Sequence, residues 1–147
     1  MRRALLLVVL LSFILPPGVR AAGDDYIGLF KNVSGNVKII RDKADIVPTA
    51  GTRIQRSDVV VSGADSAAGI VFEDGTLLTV GPSSEVSIRR YAFQPEVGKF
   101  DFDLFLKKGS AIYASGKLGK LSPESVSLQT PKATVGVRGT RFILKAD

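Results

Sequence analysis

Val126-Ser-Leu-Gln-Thr-Pro-Lys-Ala-Thr-Val-Gly-Val-Arg-Gly-Thr-Arg-Phe-Ile-Leu-Lys145 decides the fold, because its apolar residues alternate and then alternate again out of phase. Val126 and Leu128 alternate with polar residues, the pattern of a strand buried on one side. Pro131 has no N–H to give a ladder and interrupts it. Val135 and Val137 then share one face, with Gly136 and Arg138 on the other. Unbroken alternation would send Phe142 and Leu144 to the Arg138 face, which a half-buried strand does not accept. One irregularity between Arg138 and Arg141 restores the phase, and Gly139 is where it costs least. The expectation is a bulge or sharp bend at Gly139. Arg138 then stands at the kink with its fork on a carboxylate, Glu85 or Asp74 being the candidates.

Outward from this stretch the same period-two pattern recurs. Phe100-Asp-Phe-Asp-Leu-Phe-Leu106 turns Phe100, Phe102, Leu104 and Leu106 one way and Asp101, Asp103 and Phe105 the other. The first face is expected in the core and the two aspartates in solvent, with Phe105 covered by the N-terminal lead-in or forming a contact surface. Ala67–Phe72 and Thr76–Val80 flank Glu73-Asp74-Gly75, a strong hairpin signal. Val33–Ile40 reads as the first strand of the body, preceded by a lead-in over residues 22–32, and Arg41–Thr52 as a turn region. Ser57–Ser62, Glu85–Arg89 and Gly109–Ala114 complete the series, and no window of a dozen residues outside the N-terminus keeps a helical period. Nine to eleven short strands punctuated by Gly, Pro, Asp and Ser make one compact all-β domain, sandwich-like or an irregular β-solenoid, over residues 33–147.

Three segments carry a family resemblance. Gln129 through Phe142, with Thr130, Pro131, Gly136, Arg138, Gly139 and Thr140, resembles the C-terminal signature of the FecR-like periplasmic domain. Glu73-Asp74-Gly75 followed by Gly81-Pro82-Ser83 resembles the family's acidic turn and Gly-Pro-Ser segment. Lys108 through Pro123 resembles the glycine-containing strand ahead of the signature. The resemblance covers roughly residues 33–144 and implies a short, irregular β-solenoid. In the best-known members the domain is the periplasmic part of a regulator. It takes a signal from a TonB-dependent receptor, while a separate cytoplasmic region controls a sigma factor. Only Met1-Arg2-Arg3 precede the first apolar run here, and the chain ends at Asp147. The expectation is therefore a module without its own cytoplasmic anti-sigma region.

Residues 1–21 have the composition of an export signal: Arg2 and Arg3, an apolar run from Ala4 to Leu15, a Pro16-Pro17-Gly18 break, and Val19-Arg20-Ala21 as the cleavage site. Twelve residues of helix reach roughly 18 Å, short of the roughly 30 Å of a hydrocarbon core. Cleavage near Ala21 would leave no membrane span and a periplasmic or secreted domain. Three of the 20 basic residues lie in that segment, so 17 basic face 14 acidic and the net charge falls from +6 to +3. That charge, spread along the chain, gives no case for nucleic acid. Arg89-Arg90 and Lys107-Lys108 are expected as solvated strand ends.

The chain has no cysteine and no histidine, which excludes disulfides, thiol nucleophiles, most zinc sites and every Ser-His-Asp mechanism. Asp101 and Asp103 supply too few oxygens for calcium, and no phosphate-loop or Ser-x-x-Lys motif is present. The reading is a non-catalytic module without cofactor or metal, binding an envelope protein through the signature or turn residues. The alternatives are a cell-wall glycan or other saccharide site, using Tyr91, Phe93, Phe105 and Tyr113 as stacking aromatics, and a component of receptor signalling. Arg138 fits either a fold-holding contact or a fork for a partner's carboxylate.

Overall fold

The computed structural model describes residues 25–147; the export signal expected over residues 1–21, with its cleavage near Ala21, lies outside them. Twelve strands form one curled sheet: β1 (Tyr26–Ser34), β2 (Val37–Arg41), β3 (Ala44–Ile46), β4 (Arg53–Gln55), β5 (Val59–Ser62), β6 (Ala67–Phe72), β7 (Leu77–Val80), β8 (Glu85–Gln94), β9 (Lys99–Ala114), β10 (Val126–Gln129), β11 (Thr134–Gly136) and β12 (Arg141–Ala146). The all-β expectation is met.

The sheet has two halves that share β9. In one half the order is β4-β1-β6-β7-β9-β12, all antiparallel. In the other it is β3-β2-β5-β8-β9-β10-β11, antiparallel except for the parallel β9–β10 pair. The first part of β9 serves the second half, with Tyr91 opposite Phe102, and its last part serves the first, with Leu78 opposite Tyr113. The handover falls at Gly109, whose φ of 90° turns the alternation over, so that Leu106 and Ala111 both reach the core. A Cβ there would lie 2.5 Å from Ser84 Cα, so only glycine fits.

The two halves enclose a single apolar core. Its aromatic centre joins them: Phe72 from one half stacks on Tyr91 of the other at 5.4 Å and meets the Phe102 ring edge-on at 5.1 Å. Phe102 also meets Tyr113 at 5.5 Å. Three of the chain's changes of half fall at polar corners, at Gly35-Asn36, Gly63–Ser66 and Gly81–Ser84. There Ser66 Oγ accepts from the Asn36 N–H, and Ser62 Oγ donates to Gly81 O and accepts from the Ser84 N–H. Ser84 Oγ in turn accepts from the Ser110 N–H beside the β9 handover.

Several expectations need correcting. Residues 26–34 are no lead-in: β1 pairs with both β4 and β6, and Ile27 and Phe30 are fully buried, so the body begins before residue 33. Val33–Ile40 is two strands in different halves, parted by Gly35. The region 41–52 holds a strand, β3, reached through Asp42-Lys43, both at positive φ as a tight hairpin requires. A five-residue helix, α1 (Lys117–Leu121), stands where only a polar stretch is expected, and it buries Leu118. Asp103 is buried rather than exposed. Because β9 has neighbours on both sides, Arg90 Nη2 at 3.1 Å and Gln129 Nε2 at 3.1 Å cover its carboxylate. Phe100 is half-buried, tilted against Phe93. Phe105 is covered not by the N-terminal strand but by Arg89, whose guanidinium carbon lies 4.0 Å from the ring centre. Arg89, Arg90 and Lys107, which pairs with Glu85, are thus engaged rather than merely solvated.

Candidate functional site

The acidic turn is the best-satisfied polar site in the fold. Asp74, at the β6–β7 turn, is 1 % exposed, although hairpin loops ordinarily face water. Its carboxyl oxygens accept from Thr76 Oγ1 at 2.6 Å, Tyr91 Oη at 2.9 Å and the Leu118 N–H at 3.0 Å. Tyr91 Oη accepts the Asp74 N–H in return. The turn's own carbonyl receives the Lys117 N–H, and Thr76 Oγ1 receives the Gly116 N–H. A Cβ on Gly116 would stand 2.6 Å from Asp74 O, so the start of α1 docks backbone to backbone on the turn. Burial, reinforced by Asp74, pushes the Tyr91 hydroxyl far above its ordinary pKa, and burial raises Tyr113 as well. Gly75 turns the hairpin with a φ of 84°. Gly81 and Pro82 lie at a corner between the halves, where the Gly81 N–H donates to Ser110 O. The carboxyl of Asp74 is thus taken up within the fold, and Gly75, Gly81 and Pro82 carry no polar side chain.

The C-terminal signature is arranged differently. Thr130 closes the β10–β11 hairpin by accepting the Ala133 N–H on its hydroxyl at 3.1 Å, and Pro131 sits exposed at the tip. From β11 the chain leaves one half and at β12 joins the other, and Gly139 makes the bend with a φ of 132°. The expected break in phase is present: Val137 and Leu144 are both in the core, with Val135 and Phe142 packed on it. It is a change of sheet half rather than a bulge within one ladder. The Ser115 hydroxyl holds Gly139 O at 3.1 Å, and the Ser115 N–H holds Thr140 O at 2.8 Å.

Arg138 does not meet its expected carboxylate. Asp74 is already filled by its own turn and Glu85 pairs with Lys107. Among the described residues Arg138 makes no ion pair, and Gly136 beside it has open space where a side chain would go, so no backbone approaches closely there. Gly136, Val137 and Arg138 line a cleft of about 360 Å³ together with Pro123, Glu124 and Val126. The Ser122 hydroxyl donates to Glu124 at 2.6 Å and holds its carboxyl below the usual range. The cleft therefore offers a guanidinium and a carboxylate on apolar walls. The aromatics of the saccharide alternative are not gathered on the surface: Tyr91 and Tyr113 are core residues, and Phe93 and Phe105 are half-buried.

The family model described as FecR protein matches residues 58–147, from β5 through β12. The chain belongs to the FecR family. No curated protein and no solved structure matches it. The FecR family is regulatory and non-enzymatic, its domains face the periplasm, and its partners are envelope signalling proteins. Among the described residues of this FecR-family chain no helix is long and apolar enough to cross a membrane. Sequence reasoning missed Tyr91 and Leu118 as partners of the acidic turn, and Glu124 as a residue lining the same cleft as the signature. For Tyr91 the signal was available: Val86 and Ile88 are two apart, and Tyr91 follows at three, an odd step that marks the irregularity between Ile88 and Arg90.

Proposed function

We propose that this chain is an exported, non-catalytic sensing module that binds another envelope protein through the cleft at its C-terminal signature. The observation that carries the reading is Arg138. Arg41 is forked onto Asp58 at 2.7 and 2.8 Å, Arg56 meets Asp25, and Arg90 meets Asp101 and Asp103. Arg138, in the cleft, has an exposed fork with no carboxylate on it among the described residues. An exposed guanidinium beside an apolar cleft is a fitting anchor for a partner's carboxylate, because its planar donors recognise carboxylates two bonds at a time.

Family membership supports a role in envelope signalling. A photo-crosslinking residue placed at Gly136, which lines the cleft with open space around it, should trap one specific envelope protein in cells. Arg138→Lys, which keeps the charge but loses the fork, should weaken that capture without changing the melting temperature. Capture that is unchanged in Arg138→Ala would remove the cleft from the reading. Amino-terminal sequencing of the exported protein should begin near Ala22; a protein beginning at Met1 would refute cleavage.

A further inference from the structure

The curled sheet ends in four strands: β3, β4, β11 and β12. Three of them are three residues long, too short to template another chain. β12 has six residues and, among the described residues, pairs on one side only, with β9. The direction of its free groups follows from two hydrogen bonds. The Gly81 N–H donates to Ser110 O, so alternate residues of β9 from Ser110 onward face β7. The Ser115 N–H donates to Thr140 O, so the intervening ones face β12, and Thr140, Phe142, Leu144 and Ala146 face back. The N–H and C=O groups of Arg141, Ile143 and Lys145 therefore point away from the sheet, an open row of donors and acceptors.

The side chains of those same three residues all lie on the solvent face, in the order cation, apolar, cation. Ile143 is 68 % exposed and pairs with Ile112 on that face. Neither Arg141 nor Lys145 makes an ion pair among the described residues, whereas Lys132, at the tip of the neighbouring hairpin, pairs with Asp147 at 3.9 Å. We propose that the free edge of β12 takes up an extended acidic segment of a protein partner as an added strand, with acidic, apolar and acidic residues at alternate positions. A second copy of this chain is the wrong occupant. Two β12 edges paired antiparallel would set Arg141 and Lys145 of one beside those of the other, with no carboxylate between them. The cations thus deter indiscriminate pairing and select an acidic strand.

This inference rests on the interaction-module reading and names a second contact for it, apart from the Arg138 cleft. The test uses the purified chain and two labelled peptides, one carrying Glu, Val and Glu at alternate positions with threonines between them, the other Lys, Val and Lys. The acidic peptide should bind in a salt-sensitive manner and the basic one should not. Ile143→Pro removes a single outward N–H and no bond to β9, so it should weaken binding about tenfold or more with the fold retained. Should the proline variant unfold, Arg141→Glu with Lys145→Glu serves instead, and it should reverse the preference between the peptides. Equal binding of both peptides by the native chain, or undiminished acidic binding in a folded variant, overturns the proposal. Self-association of the native chain that Ile143→Pro abolishes also overturns it, assigning the edge to a second copy. In cells, a crosslink from Gly136 in the cleft but none from Ile143 removes the edge and leaves the module; none from either removes both.

Discussion

At the scale of single residues, two glycines three apart behave oppositely. Gly139 sits at a φ of 132°, where a residue with a Cβ is strained, whereas a Cβ added at Gly136 would meet nothing within 4 Å. Gly139→Val should cost roughly 1–3 kcal/mol in denaturant unfolding, and Gly136→Ala should stay within about 0.5 kcal/mol. Equal losses would show that the bend does not need glycine. The buried tyrosines set a pH dependence. The folded pKa of Tyr91 and of Tyr113 is raised above the ordinary 10.0, so the unfolded chain loses these protons first. Their contribution is whole below pH 10 and is lost progressively above it, since the unfolded state then binds fewer protons. The melting temperature should fall steeply above about pH 10, and the slope should lessen in a Tyr91→Phe, Tyr113→Phe double variant. An unchanged slope would point to other groups.

At the scale of elements, β9 decides what the sequence could and could not reveal. Its alternation made Phe102, Leu104 and Leu106 legible as core, and all three are fully buried. Phe102→Ala should cost roughly 3–5 kcal/mol by chemical denaturation, because its ring touches Phe72, Tyr91 and Tyr113; a loss below about 1 kcal/mol would contradict its central place. The same alternation misled at Asp103. Period two assigns a face, but whether that face meets water depends on the neighbouring strands, and Gln129 arrives from 26 residues away. Phase slips proved the better guide. The slip at Gly139 was readable from Val137 and Phe142, and slips of the same kind mark Gly109 and the bulge after Ile88. That Arg138 would not meet Asp74 was not readable, since nothing in a local pattern reports that Asp74 is already filled by Tyr91, Thr76 and Leu118.

At the scale of the whole molecule, the two halves stand on one seam and one shared strand. Family membership was legible because its motifs fall where the chain turns: at the Asp74 hairpin, at the Gly81 corner and at the Gly139 bend. The curl itself was not, because sandwich and solenoid bury alternate residues alike.

Sharing β9 also fixes the order of events when the chain folds. Before residues 99–114 are in place, β1, β4, β6 and β7 form one patch and β2, β3, β5 and β8 another, and neither has its common neighbour. Neither patch can close on a core that the other must line. β9 joins β8 through the short turn at 95–98, so the rate-limiting step has to bring its last part onto β7. There Leu77 pairs with the distant Ala114, and such non-local pairing is slow. Refolding should follow a single exponential in the millisecond-to-second range, and Leu104→Ala should slow folding more than it speeds unfolding, whereas Leu144→Ala on the last strand should do the reverse. A stopped-flow experiment in which Leu104→Ala changed only the unfolding limb would mean that closure precedes β9. A chain ending before residue 99 should remain unfolded. The domain thus has a built-in delay, released only when its last third is available.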